Sequence, residues 1–226
     1  MKPVTRSIGL SLIVTLLLGA VPAGAQFEGI VRSRNRSADD WGKLQTFQMT
    51  IWIKGDKAKV QMTSTSGGPA STIISRGDRK LVWVLNDEAR TYLEVRRIED
   101  EKVPPDRETK PSVKRTGKTR KILGYVAEQI FLTAGEVETE IWGTHELQGL
   151  QQSLAAGLAG RAPVSQGGRQ SQLAELGLYP LIARTKLNGV LLESSEVTKI
   201  VRSAVSPNTF DLPPGYRRER AEREIR

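Results

Sequence analysis

Gln45-Thr46-Phe47-Gln48-Met49-Thr50-Ile51-Trp52-Ile53, followed by Lys54-Gly55-Asp56-Lys57 and then Ala58, Val60 and Met62, is the stretch that decides the fold. Phe47, Met49, Ile51 and Ile53 share one parity, and Thr46, Gln48 and Thr50 share the other. A period of two is that of a strand with one buried face. The glycine-aspartate pair reverses the chain into a second strand of the same kind, so the segment reads as a β-hairpin.

The same alternation extends outward on both sides. Ser71 to Ser75 runs into the turn Arg76-Gly77-Asp78-Arg79 and returns as Lys80 to Leu85; Asn86-Asp87-Glu88 then turns into Arg90 to Val95. Consecutive strands this short predict a meander. Leu81-Val82-Trp83-Val84-Leu85 is apolar on both parities, as expected of a strand covered on both sides. Arg96 to Ser112 breaks the pattern with mixed charges and Pro104, Pro105 and Pro111, and reads as an exposed excursion. Strands resume at Val126 to Leu132 and Val137 to Trp142. Leu147, Leu150, Leu154 and Leu158 then mark a helix over 145–159, with Thr144 placed to cap it. A Gly- and Gln-rich link from Arg161 to Gln172 follows. Leu181 to Leu187, Asn188-Gly189 and Val190 to Val201 form the last hairpin, and Arg217 to Arg226 reads as a frayed basic helix.

The fold expected from this order is mainly β (α+β): a strongly curved antiparallel sheet, a half-barrel, wrapped around one or two helices. The N-terminus carries Lys2 and Arg6, the apolar run Ile8 to Leu18, and Ala23-Gly24-Ala25 before Gln26. Such a three-part pattern is a secretory signal over 1–25, and its apolar run is shorter than the 17 to 25 or so residues that cross a bilayer. The expected organisation is therefore a signal peptide at 1–25, a single β domain at 26–216 with a helical insertion at about 144–177, and a basic tail at 217–226. The expected location is the periplasm, with the extracellular space as the alternative.

Composition narrows the chemistry. The 226 residues include no cysteine, so thiol catalysis, thiolate metal ligation and disulfides are excluded together. Losing Lys2 and Arg6 with the leader lowers the formal charge from +9 to +7. That balance favours anionic surfaces or polymers of the envelope, and an exported chain has little use for nucleic acid. His145 is the only histidine, and Gly149 stands where a His-Glu-x-x-His helix would carry its second. Neither a Gly-x-Ser-x-Gly elbow nor Ser-x-x-Lys occurs in the mature chain. Thr116-Gly117-Lys118-Thr119 ends like a phosphate loop, but Ser112 occupies the position of that motif's first glycine. Arg76-Gly77-Asp78 matches an adhesion tripeptide but lies where a hairpin needs glycine and aspartate. Glu136, Glu138 and Glu140 fall on the solvent parity of their strand, and Trp52, Trp83 and Trp142 suit a core as well as a cavity. The expectation is a protein that is not an enzyme and uses no cofactor or metal.

Four segments carry a family resemblance: Phe27-Glu28-Gly29; Met49 to Lys57; Thr116-Gly117-Lys118-Thr119-Arg120-Lys121-Ile122-Leu123-Gly124-Tyr125; and Phe210-Asp211-Leu212-Pro213-Pro214-Gly215-Tyr216. Their order and spacing resemble a secreted bacterial family known as domain of unknown function 4412. That family is similar in turn to the outer-membrane lipoprotein carrier superfamily. Ala127 stands where relatives often carry cysteine, and the stretch from Gly157 to Gln172 looks long. The resemblance implies a bent sheet with an apolar cleft, hence a carrier for a lipid, an acyl chain or another apolar ligand. Candidate lining residues are Phe47, Met49, Ile51, Trp83, Leu150 and Leu154. Lys114, Arg115, Lys118, Arg120 and Lys121 form a candidate patch for an anionic membrane surface. The alternative is an envelope interaction module with a filled core, binding an anionic polymer or a protein partner.

Overall fold

The computed structural model describes residues 27–39, 41–68, 70–96, 111–158 and 172–219. Twelve strands form one sheet: β1 (Glu28–Ala38), β2 (Leu44–Lys54), β3 (Lys57–Ser64), β4 (Ser71–Arg76), β5 (Leu81–Asn86), β6 (Thr91–Arg96), β7 (Ser112–Ile122), β8 (Tyr125–Ala134), β9 (Val137–Thr144), β10 (Tyr179–Leu187), β11 (Val190–Arg202) and β12 (Arg217–Arg218). Their spatial order is β12-β6-β5-β4-β3-β2-β1-β11-β10-β9-β8-β7. Two meanders therefore meet where β1 pairs with β11, which puts β1 near the middle of the sheet. Every pairing is antiparallel except β12 on β6.

Register shifts at Arg32/Ser33, Arg115/Thr119, Pro180/Ile182 and Thr185/Lys186 bend the sheet. A bulge adds a residue to one strand and increases local twist, and four of them in one half of the sheet curl it. The bulge after Pro180 also explains how an interior strand tolerates a residue with no amide hydrogen to donate. The hairpin turns match the sequence: Asn188 and Gly189 both take positive φ, 51° and 82°, as the tight turn requires.

The sheet has two unlike faces. Across β1 to β5 one row runs Val31, Ile51, Val60, Ile73, Val84, and the row on the opposite side runs Ile30, Trp52, Lys59, Ile74, Trp83. Helix α1 (Gln148–Leu158) packs on the first, concave side against β2, β3, β4 and β10. Leu147 and Leu150 are buried there with Phe27, Val31, Ile51, Ile53 and Val60. The Phe27 amide donates to Ser153 Oγ at 3.2 Å and so ties α1 to the start of β1. A helical turn at 172–175 sets Leu173 and Leu178 against Ile130, Leu132 and Ile141. On the opposite, convex side, the chain from 203 to 216 forms a strap whose Val205 and Phe210 cover Ile74, Trp83 and Leu85.

Three expectations are corrected. Residues 112–122, where no strand was expected between the excursion ending at Ser112 and the strand from Val126, form an eleven-residue strand at the edge of the sheet. Arg217 and Arg218 are extended against β6 rather than helical, because Arg217 N donates to Arg90 O and Glu219 N to Tyr92 O. Helix α1 begins at Gln148 rather than 145, since the Thr144 hydroxyl accepts from the Glu146 amide and closes a turn that precedes it. The secretory signal at 1–25, the excursion at 97–110, the link at 161–171 and the tail from 220 lie outside the described residues.

Candidate functional site

The concave face changes character along its length. Where α1 lies over β2 and β3, Ile51, Ile53, Val60 and Leu150 are fully packed. Toward the far ends of those strands, Met49 and Met62 pair across β2 and β3 and are only half-buried, as are Phe47 and, on α1, Leu154. Next to this apolar wall the floor turns polar. Ser33 is opposite Met49, Asn35 is opposite Phe47, and Asn35 is followed across the sheet by Ser195. Asn35 Nδ2 donates to Ser33 Oγ at 3.0 Å. One row further, Thr139 and Thr185 hydroxyls lie 3.2 Å apart, and Thr185 Oγ1 donates to Glu193 Oε1 at 3.0 Å. The face thus joins an incompletely covered apolar wall to a hydrogen-bonding floor.

Of the candidate lining residues, Phe47, Met49, Ile51, Leu150 and Leu154 come together on this side. Ile51 and Leu150 are core there, and Phe47, Met49 and Leu154 keep accessible surface. Trp83 does not join them. It is on the convex face, where its ring meets Tyr92 edge-on at 6.5 Å and Nε1 donates to Glu94 at 3.3 Å under the strap. A strand apolar on both parities gives no sign of which parity faces a cleft; only the cross-strand register does. Nor did any pattern mark Ser33, Asn35, Thr139, Thr185 and Glu193 as a polar floor, because none stands in a motif.

The basic candidates divide. Arg115 Nη1 is held by both oxygens of Glu128 at 2.6 and 2.8 Å, and the Arg120 guanidinium lies over the Trp142 ring at 4.0 Å. Lys114, Lys118 and Lys121 are exposed along the edge strand, where lysines also discourage pairing with another chain. His145 bridges Gly177 O (3.2 Å) and Glu128 (3.1 Å), joining the start of α1 to the turn after 175. Glu140, expected to face solvent, is half-buried. Burial raises its pKa, but hydrogen bonds from Gln129 and Trp142 and the charge of Arg184 outweigh that and leave it net lowered. Among the described residues no group of three or more acidic or histidine side chains is placed to hold a metal ion.

The Arg76-Gly77-Asp78 tripeptide is a structural clasp. Arg76 is buried, pairs with Asp78 at 2.8 Å, and reaches Asp211 at 2.8 Å and Phe210 O at 3.3 Å in the strap. Its guanidinium is the main reason the Asp78 pKa falls from 3.8 to about 2. A Cβ on Gly77 would sit 2.6 Å from Asp56 O, so only glycine lets this turn approach the β2–β3 turn.

The family model described as "Domain of unknown function (DUF4412)" matches residues 27–216, and the chain belongs to that family. No curated protein matches it. Among solved structures, an uncharacterized conserved protein from Thermus thermophilus is similar, with a TM-score of 0.51 at 8% identity over 86% of this chain and 91% of that one. A LolA superfamily protein from Nitrosomonas europaea has a TM-score of 0.36 at 9% identity, covering 83% of this chain and 91% of that one. A DUF1329 family protein from Desulfovibrio piger has a TM-score of 0.31 at 9% identity, covering 81% and 90%.

Proposed function

We propose that this member of the DUF4412 family is a non-enzymatic carrier that holds the acyl part of a lipid on its concave face, in the envelope space beyond the inner membrane. The observation that carries this reading is the half-buried apolar wall of Phe47, Met49, Met62 and Leu154 beside the polar floor of Ser33 and Asn35. Apolar surface left uncovered on a concave face is surface on which a ligand gains by displacing water. Each methylene buried is worth about 0.8 kcal/mol, so about ten carbons laid on this wall suffice for micromolar binding before ordering costs. Methionines suit the task because their unbranched thioethers adapt to chains of differing length. The polar floor would meet an ester or headgroup at one end of the chain. The charged leader with its small-residue cleavage site at Ala23-Gly24-Ala25 supports export.

A second reading is favoured by one observation, the burial of Ile51 and Leu150 in the core. In that reading the core is filled and the domain is an interaction module for an anionic polymer or a protein. Displacement of a fluorescent fatty acid separates the two. The carrier reading predicts saturable binding by the native protein that falls at least tenfold in Met49→Glu and Leu154→Glu variants, whose circular dichroism stays native. No binding by the native protein contradicts it.

A further inference from the structure

The sequence Val31-Arg32-Ser33-Arg34-Asn35-Arg36 places three arginines on one parity of β1. The burial of β1 alternates with them: Val31 and Ser33 are buried and Asn35 half-buried, while Arg32, Arg34 and Arg36 are exposed. Their parity is that of the convex face. Register sets Lys199 of β11 beside Arg32, and it flanks the arginines on β2 with the uncharged Thr50, Gln48 and Thr46. Gln61 and Thr63 continue that neutral surface on β3. The acids nearby are Glu196, across from Arg34, Glu28, on the same parity of β1 and held by Lys54, and Glu140, held by Arg184. Arg76, Arg96, Arg115, Arg184 and Arg218 each have a carboxylate partner within ion-pair distance. Among the described residues, Arg32, Arg34, Arg36 and Lys199 have none.

Position gives this row its meaning. β1 is the seventh of twelve strands counted from β12, so the row runs along the crest of the curved sheet. The strap covers the convex side over β3, β4 and β5 and reaches Trp52 of β2, but it leaves Arg32, Arg34 and Arg36 exposed. Alternate residues of a strand are about 6.7 Å apart, so three guanidinium groups span roughly 13 Å in a line. A convex body touches a plane along its crest, and guanidinium forks bind phosphate oxygens in pairs. We infer that the Arg32–Arg34–Arg36 row, with Lys199, is the surface by which this protein docks on an anionic phospholipid bilayer, with its concave face turned away from that bilayer. The inference goes beyond the carrier reading, and it stands whether or not the concave face holds an acyl chain.

Vesicle sedimentation tests it. Full chain is mixed with vesicles of phosphatidylcholine alone, or with about three parts in ten replaced by phosphatidylglycerol, at low salt and at about 0.5 M salt. The expected result is binding to the anionic vesicles only, lost at high salt. Each surface cation is worth about a fivefold gain in affinity at such a membrane, so an R32Q/R34Q/R36Q variant should bind roughly a hundredfold more weakly. A K114Q/K118Q/K121Q variant of the edge strand should stay within a few-fold of the native chain. Equal binding to both vesicle types overturns the proposal, as the apolar leader alone would give that pattern. A ridge variant that binds as well as the native chain, or an edge-strand variant that alone loses binding, also overturns it. So does a row that holds soluble polyphosphate but leaves anionic vesicles untouched.

Discussion

At the scale of single residues, the positions that carry the family resemblance are the ones that close the fold. Glu28 accepts from the Val205 amide at 2.7 Å and from Lys54 Nζ at 2.9 Å, which lower its pKa and tie β1, β2 and the strap together. A Cβ on Gly29 would lie 2.1 Å from Val201 O, a backbone atom that cannot step aside without opening β1 from β11. Gly29→Ala is therefore expected to destabilise the protein by several kcal/mol, in the range of severe backbone lesions, and to lower the thermal midpoint by about ten degrees or more. A midpoint within about two degrees of the native one contradicts that. Asp78 gives a pH signature. Its folded pKa of about 2 is below the usual 3.8, so its contribution is complete above about pH 4 and disappears as the pH falls through about 2. Chemical denaturation of Asp78→Asn should show lower stability than the native protein at about pH 7, with the difference closing toward about pH 2. Arg76-Gly77-Asp78 was legible as a turn because glycine and aspartate are turn formers, but the hold of Arg76 on Asp211, 135 positions away, was not.

Elements were legible in proportion to the regularity of their pattern. The hairpins β2–β3, β4–β5 and β10–β11 follow from alternation and turn chemistry alone. β7 was hidden because an edge strand exposes both faces: Lys114, Lys118 and Lys121 face solvent, and Arg115 and Arg120 reach Glu128 and the Trp142 ring from the surface, so no period of two appears. The strap had no pattern to read, since its value lies in two residues, Val205 and Phe210, that meet Trp83 across the sheet. Phe210→Ala removes a fully buried ring and should cost about 3–5 kcal/mol. Hydrogen exchange should then accelerate first in β3, β4, β5 and β12, the strands beneath and beside the strap. Uniform acceleration over the whole sheet would mean that the strap is no separate element.

For the whole molecule, the bent sheet followed from the sequence, while the division of its two faces did not. Parity says which residues share a side of one strand; it cannot align twelve strands, and so it set Trp83 with Met49 although the register parts them. The same blindness concealed that the concave side is half apolar and half polar, and that three arginines line the opposite crest. The carrier account depends on Phe47, Met49, Met62 and Leu154 forming a wall that a ligand covers. Photo-crosslinking with a fatty acid that bears a diazirine near its methyl end, followed by peptide mapping, tests it most directly. The account predicts label on β2, β3 and α1, at Met49, Met62 and Leu154, competed away by unlabelled fatty acid. Label that is absent, or that falls on the convex strands and ignores competitor, contradicts it.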